Sequence, residues 1–262
     1  MLWLIGGTSE SAAIARILDA RQIPYCITVT TENARSLYGP EAQVWVGAIE
    51  VEAMPQFIQS RKISKVLDAS HPFATAVSQG AIAAAESCSI PYLRFERPPR
   101  QLQAEGSSQA EGSNTVSLLN LAMLLQPQWL EGSRTLLVLG YRMLAQLKPW
   151  QKRARLYARI LPSQVALNSA LAAGFTPNRL IALRPPVSPE LEAALWRQWE
   201  ITQVVAKASG TAGGENVKRA IAQQLGVRLI LIDRPAVGYP RQTQEIAIAL
   251  DFAGKSPPTP AS

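Results

Sequence analysis

Histidine occurs once in this chain of 262 residues, at His71, and cysteine only twice, at Cys26 and Cys88. Neither cysteine belongs to a Cys-x-x-Cys pair or a Cys/His cluster, so a disulfide framework and a bound metal are both excluded as expectations. No Gly-x-Ser-x-Gly elbow accompanies the histidine, which argues against a hydrolytic triad. Long hydrophobic runs are also missing. No stretch approaches the ~18 apolar residues of a membrane span, and the opening Met-Leu-Trp-Leu-Ile-Gly-Gly lacks the basic start and the roughly 7-residue apolar run of a signal peptide. A cytoplasmic protein with no membrane partner is the expectation.

What is present suits a packed core. Hydrophobic residues make up 47% and charged residues 17%, and 28.4 kDa is enough for one large domain or two of about 130 residues. Lysine and arginine number 26 against 19 acids, a net charge of +7, which points to anionic partners. The middle of the chain carries much of this charge, from Arg94, Arg97 and Arg100 through Arg142, Lys148, Lys152, Arg153, Arg155 and Arg159. No aromatic-interleaved motif or helix-turn-helix accompanies it, so nucleic acid is not expected.

Short β-branched runs alternate with longer Ala/Leu-rich segments, the pattern of buried parallel strands with helices between them. Strands are expected at 2–5, 25–30, 43–46, 65–69 and 92–95, then at 135–139, 157–161, 180–183, 203–207 and 228–233. Helices are expected at 9–20, 51–60, 73–86, 163–173, 189–199 and 215–225. A stretch of Gln, Glu, Gly and Ser separates the two series. The spacing therefore predicts an α/β protein with an N-terminal domain over 1–98, a linker or exposed loop over 99–114, a C-terminal α/β domain over 115–253 and a disordered tail over 254–262. Ligands of such folds bind in a cleft at the carboxyl ends of the strands, here expected between the domains.

Four places there carry polar or glycine-rich chemistry. Ile5-Gly6-Gly7-Thr8-Ser9-Glu10 leaves the first strand and enters a helix, where glycines and free N–H groups suit a phosphate, although the same residues make an ordinary capped turn. Thr30 and Thr31 lie about 20 residues further on, where an acid usually meets the ribose of NAD. Hydroxyls there, with Arg35 nearby, tilt the choice toward NADP, with Glu32 as the counter-argument. Asp68-Ala69-Ser70-His71-Pro72-Phe73 ends the fourth strand, and these side chains either face a ligand or cap the next helix. Lys207-Ala208-Ser209-Gly210 through Gly214 forms a second anion-compatible turn or a plain flexible loop.

Taken together, Gly6-Gly7-Thr8-x-Glu10, Asp68-Ala-Ser-His71-Pro72-Phe73-Ala74, Pro91-Tyr92-Leu93-Arg94-x-Glu96-Arg97-Pro98, Ala158-Arg159-Ile160-Leu161-Pro162, Lys207-x-Ser209-Gly210 and Ile232-Asp233-Arg234-Pro235 resemble the precorrin-6A reductase family of cobalamin biosynthesis, cobalt-precorrin-6A reductases included. The resemblance runs over nearly the whole chain. It implies two Rossmann-like or flavodoxin-like domains and an NADPH-dependent reduction, NADH being the alternative, of a double bond in an anionic corrin precursor. By position it implies that Gly6, Gly7, Thr8 and Ser9 hold the pyrophosphate, with Thr30 or Thr31 near the ribose. Ser70, Ser209 and Gly210 would also meet the cofactor, Lys207 and Arg94 the substrate, and His71 with Asp68 would act in catalysis. Basic residues around the cleft would then attract both ligands. Departures occur at Ser70, Leu139-Gly140 and Pro185-Pro186-Val187-Ser188, where the family pattern has Thr, Thr-Gly and Gly-Pro-Phe-Ser. Competing expectations are a nucleotide-sugar transferase and a non-enzymatic protein binding tetrapyrroles or nucleic acid.

Overall fold

The computed structural model describes residues 1–96 and 114–254. The chain divides into two compact units, Met1–Pro98 with Pro235–Ser262, and Pro99–Arg234. In chain order the first unit contributes β1 (Leu2–Ile5), α1 (Ser9–Ala20), β2 (Tyr25–Val29), α2 (Glu32–Arg35), β3 (Val44–Val46), α3 (Met54–Ser60), β4 (Lys65–Asp68), α4 (Thr75–Ser87) and β5 (Tyr92–Phe95). The second contributes β6 (Thr115–Leu118), α5 (Leu121–Leu124), α6 (Pro127–Leu130), β7 (Arg134–Val138), β8 (Arg155–Ile160), α7 (Gln164–Ala172), β9 (Leu180–Ala182), α8 (Pro189–Gln198), β10 (Gln203–Lys207), α9 (Glu215–Leu225) and β11 (Arg228–Ile232). The chain then returns to the first unit with β12 (Gln242–Thr243) and α10 (Ile246–Gly254).

Each unit holds one six-stranded parallel sheet, ordered β12-β5-β4-β1-β2-β3 in the first and β6-β11-β10-β7-β8-β9 in the second. The α/β class expected from the alternation is therefore the fold. Strands such as Leu2-Trp3-Leu4-Ile5 are buried along their whole length, as helices on both faces of a parallel sheet require. Helix α1 turns Ile14 and Leu18 inward, and Gly80 lets α4 approach α3: a Cβ there would stand 2.9 Å from Val51 and 3.0 Å from Met54.

The sixth strands depart from a simple tandem. The segment after β5 is β6, which pairs with β11 in the second sheet, and the segment after β11 is β12, which pairs with β5 in the first. The second domain expected over 115–253 is thus corrected: from Pro235 onward the chain belongs with the first unit. The return is fastened by Lys65, whose buried ammonium donates to the carbonyls of Phe252 and Ala253 at 3.0 and 3.2 Å and so satisfies the last turn of α10. Asn114, expected in the linker, already pairs with the second sheet by accepting the Leu229 N–H at 2.8 Å, and Gly254, expected in the tail, closes α10. The rest of the expected linker and tail lies outside the described residues. Among those described, no helix is long and apolar enough to cross a membrane.

Candidate functional site

In the first sheet the chain runs outward from β1 through β2 to β3, and on the other side from β4 through β5 to β12. The order reverses between β1 and β4, and a crevice opens where such a reversal occurs at the carboxyl ends of parallel strands. Both the Gly6-Gly7 turn and the His71 loop leave the sheet at this point. A bond joins them: Thr8 Oγ1 donates to the Ala69 carbonyl at 2.8 Å. Thr8, Glu10, Ala69, Ser70 and Pro72, with Arg94 and Phe95, line the narrow hollow between them.

Gly7 has φ +99°, which disfavours any side chain, and apart from the Ala34 Cβ at 4.0 Å the space beside its Cα is open. Thr8 caps α1, accepting the Ser11 N–H at 3.1 Å, while its own N–H donates to Ser11 Oγ at 3.0 Å. The 12-residue helix α1 therefore starts at this turn, with the positive end of its dipole at the crevice. Thr30 is exposed at the end of β2, and Thr31 caps the short α2 by accepting the Ala34 N–H at 3.2 Å.

Asp68 and Arg94 stand together in a buried network. Asp68 Oδ1 accepts from the Ser70 N–H at 2.9 Å and from Arg94 Nη1 at 2.8 Å; Oδ2 accepts from Ser78 at 2.6 Å and Tyr92 at 2.7 Å. With four donors and no exposure, this carboxylate is fully engaged and holds its neighbours in place. Arg94, expected to meet the substrate, belongs to the same network and also lines the hollow. Its guanidinium is fully buried, binds Asp68 and Glu96, holds the Ser70 hydroxyl and carbonyl at 3.0 Å each, and lies over the Tyr239 ring. Ser70 is held by this network while it also lines the hollow beside Thr8.

His71 is the side chain that the network leaves at the surface of the loop, half-buried. Its Nδ1 accepts the Phe73 N–H at 3.2 Å, so the neutral ring carries its proton on Nε2. Burial and the Asp68 charge hold the Tyr92 phenol far above the usual range, so it stays a donor.

In the second sheet the order reverses between β7 and β10, and Lys207 ends β10 there. Burial, followed by the Arg142 cation, lowers its pKa below the ordinary lysine value. The turn that follows already holds an anion of its own: Glu215 accepts the Gly210 N–H at 3.0 Å and pairs with Arg219 at 2.9 Å. Ser209 is buried, and a Cβ at Gly213 would collide with its hydroxyl. Ser209 and Gly210, expected to meet the cofactor, thus sit in a turn bonded to its own Glu215. Some of the positive charge also lies at the other end of this sheet. Arg134, Lys152, Arg153, Arg155 and Arg179 surround a hollow of about 440 Å³ at the amino ends of β7 and β8.

The sequence pointed to neither Tyr38 nor Tyr239, since each stands outside every motif; Ser78 and Tyr92 were visible only as parts of a helix and a strand.

Known proteins match along the whole of this framework. The chain matches the precorrin-6x reductase CbiJ/CobK family over residues 1–253. A cobalt-precorrin-6A reductase of Synechocystis is 46% identical over 240 residues, 89% of this chain and 88% of that one. One from Priestia megaterium is 31% identical over 244 residues, 91% and 92% of the two chains. A solved structure of CobK precorrin-6A reductase aligns with a TM-score of 0.75 at 25% identity, covering 98% of each chain. Family match, identity and fold agree over both sheets, and the chain belongs to the precorrin-6x reductase CbiJ/CobK family.

Proposed function

We propose that the chain reduces a ring double bond of precorrin-6A in cobalamin biosynthesis, most readily in its cobalt form, and that NADPH rather than NADH is the electron donor. The observation that carries the cofactor is the β1–α1 turn. A positive-φ glycine open on one side, at the start of a 12-residue helix and at the reversal of strand order, is the local geometry that a pyrophosphate needs. The cobalt form is supported by the names of the two relatives above.

Gly6, Gly7, Thr8 and Ser9 would lie along the pyrophosphate, Gly7 through the open face beside its Cα and α1 through the positive end of its dipole, since the Gly6, Gly7 and Thr8 amides already donate within the protein; Thr30, Thr31 and Arg35 would lie toward the ribose. A reduced nicotinamide supplies a hydride to one carbon of the double bond. The neighbouring carbon needs a proton, and His71 or a water held by it would deliver one, the ring taking up a proton from solvent as it does so, on a loop that Asp68 and Arg94 hold still. Lys207 offers a cation to the carboxylates of the macrocycle, and binding in a water-poor site strengthens that pairing. The remaining task for the chain is to orient the two reacting carbons against each other, as a nicotinamide enzyme must.

A fluorescence titration with NADPH, NADH and a nucleotide sugar tests the cofactor reading. Binding of NADPH by the wild-type chain, lost in Gly7→Val, is expected. Affinity for the nucleotide sugar alone would overturn it in favour of a transferase.

A further inference from the structure

Tyr38 lies between α2 and β3. Its ring packs in the core of the first unit, and its hydroxyl reaches the glycine turn. The Gly7 N–H donates to that hydroxyl at 2.7 Å, and Ser11 Oγ lies 2.7 Å from it. The direction of the second bond follows from counting protons. Ser11 Oγ accepts the Thr8 N–H at 3.0 Å and donates to the Thr8 carbonyl at 2.8 Å. Its single proton is used there, so Tyr38 donates to Ser11. A relay results: Gly7 N–H to Tyr38, Tyr38 O–H to Ser11, Ser11 O–H to Thr8. It turns the Gly7 and Thr8 amides into the protein and fixes which part of the turn faces outward.

The same contact explains Gly6. A Cβ at that position would collide with the Tyr38 hydroxyl, so the first glycine makes room for the tyrosine, whereas the second supplies the positive φ. Burial raises the Tyr38 phenol above its ordinary value, which keeps it protonated and able to donate at neutral pH.

We propose that Tyr38 is a positioning residue for the dinucleotide: its hydroxyl holds the glycine turn in the shape that receives the pyrophosphate before the cofactor arrives. The idea rests on the cofactor reading above. Preorganisation of this kind raises affinity by removing the cost of ordering the turn on binding.

Tyr38→Phe keeps the ring in the core and removes only the hydroxyl. The expected result is an NADPH Kd and KM raised about fivefold, the loss typical of a hydrogen bond or two. Turnover at saturating NADPH should stay within about twofold of wild type, because the hydroxyl touches no reacting atom. Hydrogen exchange at the Gly7 and Thr8 amides should accelerate, with the thermal midpoint close to wild type. Ser11→Ala, which cuts the same relay, should act in the same direction, and the double variant should be less than additive. Unchanged or tighter NADPH binding in Tyr38→Phe overturns the proposal. If the wild-type chain binds no nicotinamide dinucleotide, the cofactor reading alone fails. The exchange at Gly7 and Thr8 then decides whether Tyr38 holds the turn, and unchanged protection in Tyr38→Phe refutes it.

Discussion

Arg94 Nη1 stands 2.8 Å from Asp68 Oδ1, and both side chains are closed to solvent. Because this pair also carries the Ser70 backbone and hydroxyl, it is the structural base of the His71 loop. Removing one partner strands a buried charge. Arg94→Met should destabilise the chain by about 3–5 kcal/mol, as for other broken buried ion pairs, read by urea unfolding. A variant of full stability with only a weakened affinity for the tetrapyrrole would restore the substrate contact that the sequence suggested.

His71→Ala should lower turnover by about 10²–10⁴-fold, the range for losing a general acid, with little change in NADPH affinity. Steady-state rates at saturating substrate and cofactor measure this. Wild-type turnover in the variant removes His71 from the protonation step.

The alkaline side of the pH profile reports on Lys207. Burial and Arg142 hold its pKa below the ordinary lysine value of about 10.4. If Lys207 meets the substrate carboxylates as proposed, its cation is lost as pH rises through that lowered value, so kcat/KM should fall. Arg142→Ala removes the repelling charge, which favours the protonated amine, and the fall should move to higher pH. A limb that stays in place would assign it to another group.

Much of this was legible from patterns and little of it from single residues. The buried strands announced themselves because Leu2–Ile5 and, within β11, residues 229–232 are apolar runs. Strand β12 did not, since Gln242-Thr243 is only two residues long and its place is set by pairing with Arg94-Phe95 far back in the chain. Helix α10 was hidden for a similar reason: what fixes it is Lys65 reaching its last carbonyls, a contact between residues 187 positions apart. At the site, Gly7 and His71 could be singled out by type and position. The positioning roles of Asp68 and Arg94 could not, because a buried salt bridge and a substrate contact look alike in a motif. Tyr38 left no local signal at all, as its hydroxyl meets the glycine turn through the tertiary fold.

Arg35 ends α2, the short helix that follows Thr30 and Thr31. If it meets the 2′-phosphate, Arg35→Ala should lower NADPH affinity several-fold and leave NADH affinity unchanged, narrowing the preference between them. Titration of the variant with each cofactor measures it, and equal losses for both would place Arg35 outside the cofactor site.

Anaerobic oxidation of NADPH and NADH with precorrin-6A and with cobalt-precorrin-6A tests the central claim most directly. The account predicts loss of NADPH absorbance that depends on the tetrapyrrole, faster than with NADH and faster with the cobalt form. No oxidation of either nicotinamide with either tetrapyrrole would contradict it.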